Sequence, residues 1–308
     1  MKPFRVAIFN DTHGWHSEQL IAAFVRHNME AVLTDLALCR IDLAQSPGIT
    51  IPGFEQGGLP DAVMVRGIAP GSLEQITLRM DILHTLAELG VPVLNPARVI
   101  ELTVDKARTS LRLHQAGLRT PMTWACEDRD QAMSIVRREL AAGYQLVMKP
   151  LFGCQGKGII RINHLDQLDL IAPVGHAFYL QRYISPAQQD YWQDWRLMVI
   201  RGHVVASMTR QSDSWITNFA QGARCLPAVA TDEMKALAVS AAQAVEAPYA
   251  GVDLIQDPDG HFSVLEVNSV PAWKGLYLAT GQDIAGALAN MVAESISATI
   301  KQTPDYAL

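Results

Sequence analysis

The chain has 308 residues, 49% of them hydrophobic, and carries 25 basic against 31 acidic side chains for a formal charge of −6. That length supplies ample core and exceeds one typical domain, so two or three lobes are expected, and the acidic balance lacks the broad basic surface of most nucleic-acid binders. No apolar run approaches the roughly 20 residues of a membrane span, and Cys39, Cys126, Cys154 and Cys225 lie too far apart for a metal-type pair, which suits free thiols in a reducing cytoplasm.

The first third alternates short apolar strands with helices. Residues 4–9 read as a first strand rather than a signal peptide, followed by polar Asp11, Thr12 and His13 and a helix over about 17–27. Strands at 31–36 and 61–67, a helix at 73–89 stopped by Gly90, and a strand at 91–94 follow. That order predicts a small parallel α/β lobe with helices on both faces, closed by the Asn95-Pro96 turn. Arg66 falls at a strand's carboxyl end, where open sheets present ligand-facing residues. A solvated strand terminus is the alternative reading for it.

From residue 97 a second unit is expected, in which Asp105 caps a helix that carries Lys106 and ends at Gly117. A helix over 129–142 stops at Gly143, and a strand then leads to Lys149. The next residues, Gly153, Cys154, Gln155, Gly156, Lys157 and Gly158, form a glycine-rich loop before another strand. Glycines lack a Cβ and let backbone N–H groups approach a phosphate chain, which Lys149 and Lys157 could neutralise. A strand at 178–184 ends at Ser185-Pro186, and 187–194 reads as a polar, aromatic loop or crossing between lobes.

The last third predicts a hairpin of strands 195–200 and 203–209, a helix over 232–245, and a second hairpin, 250–255 and 261–268, joined by Asp257-Pro258-Asp259-Gly260. An amphipathic helix at about 282–296 closes the chain. Period-two geometry puts Glu266 and Asn268 on one face of their strand, with Asp253 within a few residues of their register. These hard oxygen donors suit Mg²⁺ held with nucleotide phosphates; a structural ion pair with arginine or lysine is the alternative.

Lys106, Lys149, the glycine loop, the segment 181–184 and the acidic hairpin occur in an order that resembles an ATP-grasp enzyme of the RimK-like branch, the ATP-dependent α-L-glutamate ligases. The resemblance covers essentially the whole chain. It is strongest over 148–158, at Asp194-Trp195-Arg196, and in Gly251-Val252-Asp253-Leu254 with Leu265-Glu266-Val267-Asn268-Ser269. It implies an α/β ATP-grasp fold in which a small N-terminal lobe (1–96) precedes a central lobe (97–185) and a C-terminal lobe (186–308) that clasp ATP. By the same resemblance Lys106 and Lys149 reach the ATP phosphates, residues 153–158 cover them, and the backbone of Gln181, Arg182, Tyr183 and Ile184 recognises adenine. The family commonly has a glutamate where this chain has Arg182. Asp190 and Asp194 are candidates near the ribose, and Asp253, Glu266 and Asn268 correspond to the magnesium ligands; manganese could substitute. Arg196 and Arg210 match arginines facing the reacting carboxylate or phosphoryl group, while Asn218 and Gly222 correspond to a positioning loop.

The implied reaction is ligation of L-glutamate to an acceptor carboxylate through an acyl phosphate, releasing ADP and phosphate. A cytoplasmic enzyme acting on a small molecule is expected, with no nucleic-acid or membrane partner, and a homo-oligomer stays open. After Asn268 the family's usual Ser-Ser-Pro-Gly is replaced by Ser269-Val270-Pro271-Ala272-Trp273-Lys274. Trp273 offers a ring and Lys274 a charge, which with Trp192, Trp195 and Trp215 would suit a pterin- or furan-type one-carbon carrier with an acidic tail. A protein C-terminus and an amino-acid or peptide-like acid are the other acceptors. A non-catalytic nucleotide-binding regulator is the reading from another class; the full set of lysines and hard ligands argues against it.

Overall fold

The computed structural model describes residues 2–55, 58–153, 156–168, 173–185 and 190–302. Its first unit contains β1 (Phe4–Phe9), α1 (Trp15–Arg26), β2 (Met29–Thr34), β3 (Arg40–Ile41), β4 (Ile49–Thr50), β5 (Ala62–Val65), α2 (Leu73–Glu88) and β6 (Val93–Leu94). The parallel sheet has the order β2-β1-β5-β6. All four residues of β5 are buried, as a continuous apolar strand covered on both faces requires. Leu20 and Phe24 of α1 pack on one face with Leu288 and Val292 from the chain's last helix. On the other, Ile82, Leu83 and Leu86 of α2 meet Ala7, Phe9 and Val65.

The second unit runs α3 (Ala97–Val104), α4 (Lys106–Gln115), β7 (Thr123–Cys126), α5 (Arg129–Ala141), β8 (Leu146–Lys149), β9 (Ile160–Ile162) and β10 (Phe178–Arg182). Asp105 caps α4 by accepting from the Arg108 N–H at 3.0 Å. Gly117 and Gly143, just past α4 and α5, take φ of +72° and +83°, a left-handed turn that favours glycine. The antiparallel sheet is ordered β7-β10-β8-β9. Its alternation divides labour between two faces. Leu146, Met148, Phe178 and Leu180 pack with Ala132 and Val136 of α5, which turns Lys149, Tyr179 and Gln181 to the opposite face.

The third unit holds β11 (Trp192–Ile200), β12 (His203–Ser212), β13 (Arg224–Pro227), α6 (Asp232–Ala244), β14 (Tyr249–Gln256), β15 (Phe262–Asn268), α7 (Lys274–Thr280) and α8 (Ile284–Gln302). Its sheet is antiparallel, ordered β13-β12-β11-β14-β15. Of the stretch 187–194 expected to be loop, Trp192, Gln193 and Asp194 instead begin β11, paired with Ser212, Gln211 and Arg210. In the β14–β15 hairpin Asp253 lies opposite Glu266 and Gly251 opposite Asn268. Leu254 then pairs with Val264, so a bulge leaves Leu265 unpaired. Bulges re-aim side chains, and both Leu265 and Glu266 line the cleft beneath.

Candidate active site

A cleft opens between the second and third sheets, with Lys106, Lys149, Gln181, Arg210, Asp253 and Glu266 in its wall. Lys149, at the end of β8, donates from Nζ to Gln181 Oε1 at 2.7 Å. Burial lowers its pKa to about 8; nearby Lys106 pushes the same way, while Glu266 and Asp253 oppose the shift. Lys106, in the first turn of α4, donates to the Gly153 carbonyl at 2.7 Å and so holds the start of the glycine loop. Gly156 and Gly158 have φ of +71° and +70°. A Cβ on Gly156 would stand 2.6 Å from Asn218 Oδ1, so only glycine lets the loop close against the 215–218 segment. Lys157 also lines the cleft; Gln155 lies outside the described residues.

Gln181, Arg182, Tyr183 and Ile184 also line the cleft, together with Trp192 and Trp215. Tyr183 is fixed on three sides. Arg161 stacks 3.9 Å from its ring centroid, Trp192 Nε1 donates to its hydroxyl at 2.7 Å, and Trp215 meets it edge-on. The Arg182 guanidinium turns to Glu139 Oε2 at 2.7 Å and stacks on Tyr144. Its charge is therefore matched by α5, and the replacement of the family's glutamate puts no unpaired cation in the cleft wall.

Four charged side chains form a buried network on the cleft floor. Arg196 grips both carboxylate oxygens of Asp253, while Arg210 binds both oxygens of Asp194 and reaches Asp253 Oδ2 at 3.0 Å. The Thr217 hydroxyl donates to Asp194 Oδ2 at 2.6 Å. Burial alone would raise the Asp253 pKa, but Arg196 and Arg210 outweigh it and hold the carboxyl below its ordinary value. Asp194 lines the cleft with its carboxylate engaged by Arg210 and Thr217. Asp190 is exposed and absent from the cleft wall. Arg196 is likewise directed into Asp253 rather than into the cleft, and Gly222 is exposed beyond Asn218.

The hairpin fits a magnesium ion by its donor chemistry. An ionised carboxylate offers about four acceptor positions, and the two arginines use three on Asp253. Glu266 faces Lys149 across the cleft, and Asn268 presents an amide two residues on. The Asn268 Nδ2 atom is buried without an acceptor among the protein's own groups, which suits a phosphate oxygen or metal-bound water as its partner.

The predicted acceptor residues lie elsewhere. Trp273 is 1% exposed and belongs to the core between the first and third sheets. Arg66 covers it at 4.5 Å and donates to the Pro271 carbonyl at 3.0 Å; His16 meets it edge-on. Stacking of Trp273 on an acceptor ring is thereby corrected, because the turn after Asn268 tucks its large apolar side chain beneath the first unit. Arg66 is buried and so is not a solvated terminus either. Lys274 is exposed at the start of α7, 6.0 Å from the Trp15 ring. Trp195 packs on Phe262, leaving Trp192 and Trp215 as the tryptophans in the cleft wall. Two positions carried no sequence signal for the role they take. Asn95, read as a turn residue, donates to the carbonyls of Tyr249 and Ser269 and tethers the loop beyond the hairpin. His16 Nε2 accepts the backbone N–H groups of Trp273 and Lys274 at 3.1 and 3.2 Å.

Residues 103–292 match the RimK-like ATP-grasp domain. The tetrahydromethanopterin:alpha-L-glutamate ligase of Methanococcus maripaludis is 30% identical over 305 residues, covering 95% of this chain and 98% of that protein. The enzyme of the same name from Methanocaldococcus jannaschii is 34% identical over 226 residues, covering 71% of this chain and 75% of that protein. Among solved structures, the ATP-grasp ligase PsnB complexed with a phosphomimetic variant of its minimal precursor, Mg and ADP superimposes with a TM-score of 0.73 at 20% identity, over 96% of this chain and 99% of that one. No helix among the described residues is long and apolar enough to cross a membrane. By its sequence motifs and its match over most of its length, the chain belongs to the RimK-like ATP-grasp family of ATP-dependent ligases.

Proposed function

We propose that the protein joins L-glutamate to the carboxylate of a pterin-type one-carbon carrier, using Mg·ATP and forming an acyl phosphate on the acceptor. The convergence of Lys106, Lys149, Glu266 and Asp253 on one cleft carries this reading. The relatives named tetrahydromethanopterin:alpha-L-glutamate ligase support its acceptor class. Trp273 gives that class no support, since it lies inside the core.

In this reading Lys106 and Lys149 bind the phosphate chain, and the 153–158 loop excludes water above it. The strand end 181–184 receives the base. Glu266 and Asn268 hold magnesium together with the free acceptor position of Asp253; the ion neutralises phosphate charge when bound. Arg210 supplies positive charge where negative charge develops on the moving phosphoryl group, and Asn218 steadies the closed loop. The α-amine of glutamate then attacks the acyl carbon, phosphate leaves, and an amide remains. No protein nucleophile takes part.

The test is incubation with Mg·ATP, isotopically labelled glutamate and tetrahydromethanopterin, with a peptide C-terminus as the comparison acceptor. Equal amounts of ADP, phosphate and a glutamyl-pterin adduct are expected. AMP and pyrophosphate would exclude acyl-phosphate chemistry, and labelled peptide without labelled pterin would exclude the acceptor.

A further inference from the structure

We infer that the Gln181 side chain is a positioning residue: a neutral anchor that aims the Lys149 ammonium at the nucleotide phosphates without cancelling its charge. The inference rests on the proposed nucleotide reading of the cleft. It adds a role for the Gln181 side chain to the one given to its backbone.

The sheet register sets the contact. Tyr179 on β10 lies opposite Lys149 on β8, and Gln181 lies opposite Val147. Gln181 and Lys149 are therefore diagonal neighbours on one face, within reach of two long side chains. Gln181 is 1% exposed, so its amide must find partners inside the protein. Its Nε2 donates to Thr123 Oγ1 at 3.1 Å and lies 3.3 Å from the Tyr179 hydroxyl. The Tyr179 hydroxyl is 2.8 Å from Ser110 Oγ on α4, the helix that begins with Lys106.

The chemistry of the partners fixes the direction of the chain. An ammonium can only donate, so the carbonyl end of the Gln181 amide must face Lys149. Thr123 Oγ1 donates to the Pro121 carbonyl at 2.7 Å, which leaves it an acceptor for Gln181 Nε2. Hydrogen bonds thus run from Lys149 through Gln181 and Thr123 to a main-chain carbonyl. Each link has one polarity, and the ammonium is held in one place.

The choice of an amide follows from the charge balance. Lys149 is largely withdrawn from water, and its pKa of about 8 reflects that burial first. An apolar side chain at position 181 would leave one ammonium hydrogen without an acceptor. A carboxylate there would pair with the ammonium and weaken its pull on phosphate. The neutral carbonyl does neither.

The test measures magnesium-dependent binding of ADP and of a non-hydrolysable ATP analogue by calorimetry, in a cycle of Lys149→Met, Gln181→Leu and the double variant. No acceptor or glutamate is involved, so failure here is separable from failure of the ligase reading. Gln181→Leu should weaken binding about tenfold, the scale of one charge-assisted hydrogen bond, and should add nothing in the Lys149→Met background. Gln181→Glu, whose carboxylate can pair with Lys149 and keep the fold, should also weaken binding. Three results would overturn the inference: multiplying effects in the double variant, parent-like affinity for Gln181→Leu or Gln181→Glu, or parent-like affinity for Lys149→Met. The last would also remove the nucleotide reading of the cleft.

Discussion

Arg210 on β12 and Arg66 just beyond β5 are both nearly hidden from solvent, at 4% and 8% exposure, yet their surroundings differ in kind. Arg210 is matched by two carboxylates, Asp194 and Asp253, and stands in the wall of the cleft. Arg66 is matched by a carbonyl, the Tyr249 hydroxyl and an indole face, outside that wall. Taking a guanidinium out of water is costly unless opposite charge and hydrogen bonds replace the lost hydration. The cleft floor meets that cost with acid, and its charges can be redistributed when an anion or metal enters. The seam between the first and third sheets meets it with packing, which fixes the turn after Asn268 but offers no chemistry. Burial of an arginine therefore does not identify a functional site; the identity of its partners does.

The comparison is tested most severely by removing the acid. Asp253→Ala leaves Arg196 and Arg210 short of their shared counter-charge, and should cost about 3–5 kcal/mol of stability in denaturant unfolding, with loss of turnover. Arg66→Met should cost about 1–2 kcal/mol, because a carbonyl hydrogen bond, the contact with the Tyr249 hydroxyl and a ring contact are lost but no counter-charge is stranded. Equal losses for the two would dissolve the distinction. On the seam itself, Trp273→Ala should cost about 3–5 kcal/mol, as for other buried aromatics. Its kinetic losses toward acceptor and ATP should run in parallel, while Lys274→Ala should change neither. A selective rise in acceptor KM for Trp273→Ala would return that ring to the substrate. Next in size, Glu266→Gln should lower turnover about a hundredfold with an unchanged unfolding midpoint, since Glu266 faces the cleft and not the core.

These contrasts separate what is legible in the sequence from what is not. The Asp105 cap, the glycine stops at Gly117 and Gly143, the glycine loop and the Asp257-Pro258-Asp259-Gly260 turn are local, and each appears where the residue types demand it. The facing of Asp253 and Glu266 also follows from a tight hairpin. Several elements escape, among them the two-residue strands β3 and β4, too short to show a period. Helix α3 is separated from α4 by Asp105 alone, with no glycine or proline to mark the break. β13 is a short edge strand ending in Pro227, and α7 begins within the turn read as an acceptor surface. The arginine partners escape for another reason: Arg196 and Asp253 are 57 positions apart, and Arg66 and Pro271 are 205 apart. A pattern along the chain can propose that a carboxylate needs a cation. It cannot choose among several until the sheets are docked.

The smallest expected effect belongs to His16, and it reports on the seam through pH. Its Nε2 accepts two backbone N–H groups at the start of α7, a role open only to the unprotonated nitrogen, so Nδ1 carries the proton of the neutral ring. Burial, then Arg66, then Lys274 lower its pKa from 6.5 to about 4. Between those values the unfolded chain binds a proton that the folded chain does not, so stability rises with pH across this window. The contribution is fully present above about pH 6.5 and is lost as pH falls through about 4. Solvent reaches part of the ring, which makes the effect a modest one. His16→Gln keeps an acceptor near the same two N–H groups and cannot titrate there. Its unfolding midpoint should therefore vary less than the parent's between pH 6.5 and 4, while the two proteins keep a constant difference above pH 7. Parallel pH profiles over the whole range would show that His16 does not hold α7 in its neutral form, and that the seam is fixed by Arg66 and Trp273 alone.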